Sequence, residues 1–108
     1  MNKKLQRINQ LKKEIAALNL ENDESAQFQD ALDILNRELV NLYFDLKGTT
    51  VFALKLTDEN YNTYYLSDNK KEQLGTVVLY FESEDEIKQN LTSVLKEAFV
   101  LELEKKTF

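Results

Sequence analysis

The chain has 108 residues, a net charge of −5, 31% charged and 43% hydrophobic residues, and neither histidine, cysteine nor proline. Without histidine or cysteine, a catalytic triad, a zinc site and a disulfide framework are excluded. The acidic balance disfavours direct nucleic-acid binding, and no run approaches the ~18 apolar residues that a membrane span needs.

One domain spanning residues 1–108 is expected from this length. Met1-Asn2-Lys3-Lys4 has the look of a signal-peptide n-region, but Gln6, Arg7, Asn9, Gln10, Lys12 and Lys13 interrupt the apolar stretch that should follow. A cytoplasmic location is therefore expected. Lysine outnumbers arginine and asparagine is frequent, a bias of AT-rich genomes that suggests a low-GC bacterium, its phage or a mobile element.

The first segment reads as a helix from about Asn2 to Leu20. Ile8, Leu11, Ile15 and Leu18 repeat at spacings of 3, 4 and 3, with Leu5 alongside. Residues 1–20 carry +4 and residues 21–46 carry −6, so a basic helix directly precedes an acidic one. The heptad frame then slips by three residues near Asn22. A stammer in one continuous helix would do this. A turn is favoured, because Asn22, Asp23 and Ser25 are good N-cap types and Asp23 and Glu24 suit a positive first turn.

The second helix is predicted from about Asp23 to Lys47. Phe28, Leu32, Leu35, Leu39, Leu42 and Leu46 form one heptad seam along it. Gly48 stands where a left-handed residue ends a helix. The seam serves either an antiparallel hairpin with the first helix or self-association with a second chain. Ile34, Val40, Tyr43 and Phe44 widen the apolar surface off the seam, and the following strands should pack there.

After Gly48 the period falls to two. Thr49–Thr57 alternates Phe52, Leu54 and Leu56 against Val51, Ala53 and Lys55. Asp58-Glu59-Asn60 is a turn, Tyr61–Leu66 the return strand, Ser67–Gly75 a loop and Thr76–Phe81 a third strand. Ser83 with Glu86 three residues on is a capping box. It opens a third helix with Ile87, Leu91, Val94, Leu95 and Ala98 inward, running to about residue 97. Phe99, Leu101 and Leu103 then alternate with Val100, Glu102 and Glu104; residues 98–105 suit an edge strand as well as a last helical turn.

The fold expected is thus α+β. It has an N-terminal antiparallel helical hairpin with one long heptad-patterned helix (1–47), a small antiparallel sheet of three strands (48–81), and a C-terminal helix, with or without a fourth strand at its end (82–108). The helices should cover one face of the sheet.

Motifs for chemistry are scarce. Gly48 and Gly75 stand alone, so no glycine-rich phosphate cradle exists. Asp58, Asn60 and Asn62 mimic the start of a calcium loop, but Thr63 and Asn69 replace its glycine and glutamate. Asn90-Leu91-Thr92 fits the glycosylation sequon but lies on a predicted helix. No catalytic residue, metal or cofactor is expected.

Binding features remain. Tyr61, Tyr64 and Tyr65 lie on one strand, where neighbours face opposite ways and exposed tyrosine suits an interface. Glu82, Glu84, Asp85 and Glu86 cluster at a helix start; they serve as a cap or as a phosphate-like surface. The leading expectation is a non-catalytic protein–protein interaction or assembly module, a homodimer among its forms. The alternative is an acidic inhibitor or nucleic-acid mimic that blocks a basic site on a host or defence protein.

Overall fold

The computed structural model describes residues 2–21, 25–69 and 71–108. The expected turn at Asn22, Asp23 and Glu24 lies outside them, as do Met1 and Lys70.

Two helices open the chain, α1 (Lys3–Glu21) and α2 (Ala26–Asp45). Ser25 caps α2, its side chain accepting from the Phe28 N–H at 3.2 Å. They pair as the antiparallel hairpin expected from the charge pattern. Arg7 grips Glu38 with two hydrogen bonds, of 2.5 and 2.9 Å, and Lys4 lies 3.4 Å from Asp45. A planar guanidinium on a carboxylate fixes orientation as well as attraction. Beyond Asp45 the backbone turns at Gly48, whose φ of 85° is the left-handed geometry glycine adopts without strain.

The sheet has four antiparallel strands in the order β3-β2-β1-β4. They are β1 (Thr50–Thr57), β2 (Thr63–Leu66), β3 (Leu74–Gly75) and β4 (Val100–Thr107). The ambiguous C-terminal stretch is therefore strand, paired with β1 without a break from Thr50↔Thr107 to Thr57↔Val100.

The predicted third strand is corrected. Only Leu74–Gly75 joins β2, and of residues 76–81 only Phe81 bridges to Phe52. The reason lies in α1. The buried Asn9 amide accepts from the Tyr80 N–H and donates to the Tyr80 carbonyl, both at 2.8 Å. The Lys12 ammonium donates to the Val78 carbonyl. Side chains of a helix thus occupy backbone groups that a neighbouring strand would otherwise use.

Helices cover both faces of the sheet, not one. Val51 and Ala53 face Leu5, Ile8, Leu46 and Tyr80, with Leu39, Leu42, Tyr43 and Phe108 packed alongside. Leu54 and Leu56 face Leu66, Phe81, Ile87 and Leu95 on the other side. This second cover is two short helices, α3 (Glu84–Asn90) and α4 (Ser93–Ala98), where one helix was expected. The break falls at Leu91, whose ψ of 121° is extended, and the Thr92 side chain caps α4 by accepting from the Leu95 N–H. The break shifts the helical register, so Ile87 and Leu95 are buried but Val94 is exposed.

The seam on α2 is spent inside the chain. Phe28 and Leu46 are buried, Leu32, Leu35, Leu39 and Leu42 are half-buried, and the sheet covers the end from Leu39 to Leu46.

Replacing Asn9 by alanine orphans two buried backbone groups at Tyr80. We expect Asn9→Ala to lower unfolding free energy by about 2–4 kcal/mol in urea titrations. Asn36→Ala, which removes an exposed side-chain bond to the Leu32 carbonyl, should cost under about 0.5 kcal/mol.

Candidate interaction surface

With its seam buried, α2 should present only polar side chains to solvent. It does not. Ile34 is 65% exposed, Val40 49% and Phe44 71%. The expectation that the following strands pack on these residues fails for all three. The sheet lies beneath the seam face instead, and Tyr43, at the border of the two faces, packs on Phe108 with ring centroids 5.0 Å apart.

Val40, Tyr43, Phe44, Lys47 and Phe108 line a shallow groove of about 220 Å³. Phe108 directly follows β4, so the groove joins the outer face of α2 to an edge of the sheet. At that edge β4 pairs with β1 on one side, and no strand flanks its other side among the described residues. Such an edge carries unpaired N–H and C=O groups along its length.

The tyrosines are dispersed. Tyr64 is half-buried against Phe99, 5.9 Å away and edge-on, on the α3–α4 side. Tyr65 is half-buried opposite Lys55 in the strand register. Tyr61 stands alone at the hairpin tip, 88% exposed and at φ 64°. The tip is held by Asp58, whose carboxylate accepts from the Asn60 and Asn62 N–H groups at 2.9 Å and from the Asn62 side chain at 3.2 Å. These bonds, those from Asn62 above all, hold its carboxyl below the usual range.

The acidic cluster sits in and beside the first turn of α3. Ser83 accepts from the Glu86 N–H at 3.3 Å, completing the expected cap, while Glu84, Asp85 and Glu86 offset the positive helix end. Glu82 accepts from the Asn2 N–H at 3.1 Å and so ties the chain start to this corner.

Two further residues were not singled out from sequence. Asn9 reads there as part of a polar helix face. Lys12 stands with its ammonium 4.3 Å from the centre of the Tyr80 ring. Burial, helped by nearby Lys106, pushes the Lys12 ammonium down to about 8. Among the described residues no group of metal-ligating side chains occurs, and no described helix is long and apolar enough to cross a membrane. Compared with protein-family models, with curated proteins and with solved structures, the chain shows no match.

The left-handed geometry at Tyr61 costs a non-glycine residue about 1–2 kcal/mol, partly offset by glycine's greater freedom when unfolded. Because the ring is exposed, Tyr61→Gly should stabilise the chain by about 0.5–1 kcal/mol in thermal melts. For Lys12 the folded value lies below the ordinary 10.5. The unfolded chain therefore binds more protons between the two values, and stability rises with pH from about 8 upward. Urea midpoints at pH 8 and about pH 9.5 should show that rise in the parent chain and not in Lys12→Met.

Proposed function

We propose that the chain is a non-catalytic protein–protein interaction module that docks through the outer face of α2 and the adjoining edge of β4. The observation that carries this reading is the exposed pair Val40 and Phe44, one helical turn apart and beside the Phe108 groove, on a helix whose seam is turned to the rest of the chain. Fully burying a side chain of this kind contributes roughly 1.5–3 kcal/mol, so leaving both in water withholds a substantial gain from folding. Contiguous apolar surface beside an apolar groove is the usual mark of a contact site. The open strand edge next to it supplies directional hydrogen bonds that an apolar patch lacks.

Lys47, Lys105 and Lys106 lie on or beside this surface. In amine cross-linking of cell extract followed by mass spectrometry, they should carry the links to the bound protein. Val40→Asp with Phe44→Asp should abolish those links and leave the circular-dichroism melt unchanged, since both side chains are exposed. Links that survive this double change, or that fall on the α3–α4 side, would sink the reading.

A further inference from the structure

We infer that the partner of this surface is a second copy of the chain, its β4 pairing antiparallel with β4 about a two-fold axis through Glu104. This rests on the interaction reading above and names its occupant.

The backbone supplies the first requirement. The Phe108 N–H donates to the Thr49 carbonyl at 3.0 Å, so it points toward β1. By the alternation of an antiparallel ladder, Leu101, Leu103, Lys105 and Thr107 turn their backbone groups outward. β4 contains no proline, and its eight pairs with β1 run without a bulge. Two of the usual devices that blunt an edge are therefore missing. The opposite edge, β3, has only two residues.

Charge and apolar matching together select the register. Two identical strands related by a two-fold axis oppose residues of equal parity, because opposed side chains share a face. Centring on Leu103 sets Glu102 against Glu104 twice. Centring on Lys105 sets that lysine against itself, Glu104 against Lys106 twice, Leu103 against Thr107 twice and Glu102 against Phe108 twice. Centring on Glu104 sets Glu102 against Lys106 twice, Leu103 against the aliphatic stem of Lys105 twice, and Val100 against Phe108 twice. The last two registers each carry two opposite-charge pairs and one like pair on the axis, and only the Glu104-centred one also matches apolar neighbours.

The monomer fits that arrangement. Val100 is 73% exposed and Leu103 44%, and each gains an apolar neighbour. Phe108 borders the α2 groove, so Val100 of the second copy extends its apolar cover. Glu102 lies 3.9 Å from Lys55 and is largely exposed, leaving an oxygen for a second cation. Among the described residues Lys106 is in no ion pair; its ammonium lies over the Tyr80 and Phe108 rings at 5.7 and 5.8 Å. The two-fold axis also puts both α2 helices on the same face of the joined sheet, with Val40 and Phe44 flanking the junction.

Light scattering of the purified chain over a range of concentrations tests this, with circular dichroism confirming that each variant folds. The expected mass is twice 12.6 kDa. Lys106→Glu should weaken association at least about tenfold, and Glu102→Lys combined with Lys106→Glu should restore it. Glu104→Gln should tighten it, since the axial repulsion disappears; weakening there would point to the Lys105-centred register and overturn ours. A parent chain that stays monomeric overturns the second copy and leaves the interaction module standing. A dimer indifferent to the β4 charges but abolished by Val40→Asp with Phe44→Asp overturns the strand pairing alone. A dimer indifferent to both sets overturns the pairing and the module together.

Discussion

The side-chain amide of Asn9 closes a two-bond ring with the backbone of Tyr80, and the remaining architecture depends on it. This contact joins the first helix to a residue 71 positions later, inside the protein. A polar group at that depth is tolerated only because donor and acceptor are both satisfied. The pairing fixes where residues 78–81 lie, and so which face each neighbour takes. Tyr80 turns toward the helical hairpin, while Phe81 turns toward α3 and α4. Phe81 can then exchange backbone hydrogen bonds with Phe52 at 2.7 and 2.9 Å. One amide thereby registers a helix, a connecting segment and the central strand.

Much of this was legible in the residues, because apolar periodicity reports on any element that buries one face. The hairpin, β1 with its two alternating faces, the Ser83 cap and the turn at Gly48 all follow from spacing and capping chemistry. The opposite charges of the two helices foreshadow the Arg7–Glu38 and Lys4–Asp45 pairs. What escaped was non-local. Residues 76–81 have the composition of a strand, but composition does not reveal that a helix side chain will occupy their backbone. Leu91 and Thr92 sit in a helical pattern, yet the capping hydroxyl of Thr92 outcompetes continuation and divides the helix. The alternation from Phe99 to Glu104 was visible; its partner, some fifty residues earlier, was not.

The candidate surface was harder to find from sequence for a related reason. Ile34, Val40 and Phe44 read as additional core, since periodicity registers an apolar side chain without saying what will cover it. Once Leu39, Leu42 and Leu46 are seen packed inward, Ile34 on one flank of the helix and Val40 with Phe44 on the other are left exposed. The tyrosines and the acidic cluster were conspicuous by residue type, but the fold gives them local employment or disperses them. Where residue type marks no site, surface that the fold leaves uncovered is the remaining signal.

The pairing of β1 with β4 also orders the assembly of the chain in time. Its partners run from Thr57↔Val100 to Thr50↔Thr107, whereas the helical hairpin and the β1–β2 hairpin close over short loops. Loop-closure entropy makes distant pairings late and local ones early. In the folded protein the same eight pairs make β4 the more firmly held edge, against two pairs for β3. The amide hydrogens that β4 turns toward β1 should therefore exchange with solvent later than those of β3, although both strands lie at an edge of one sheet.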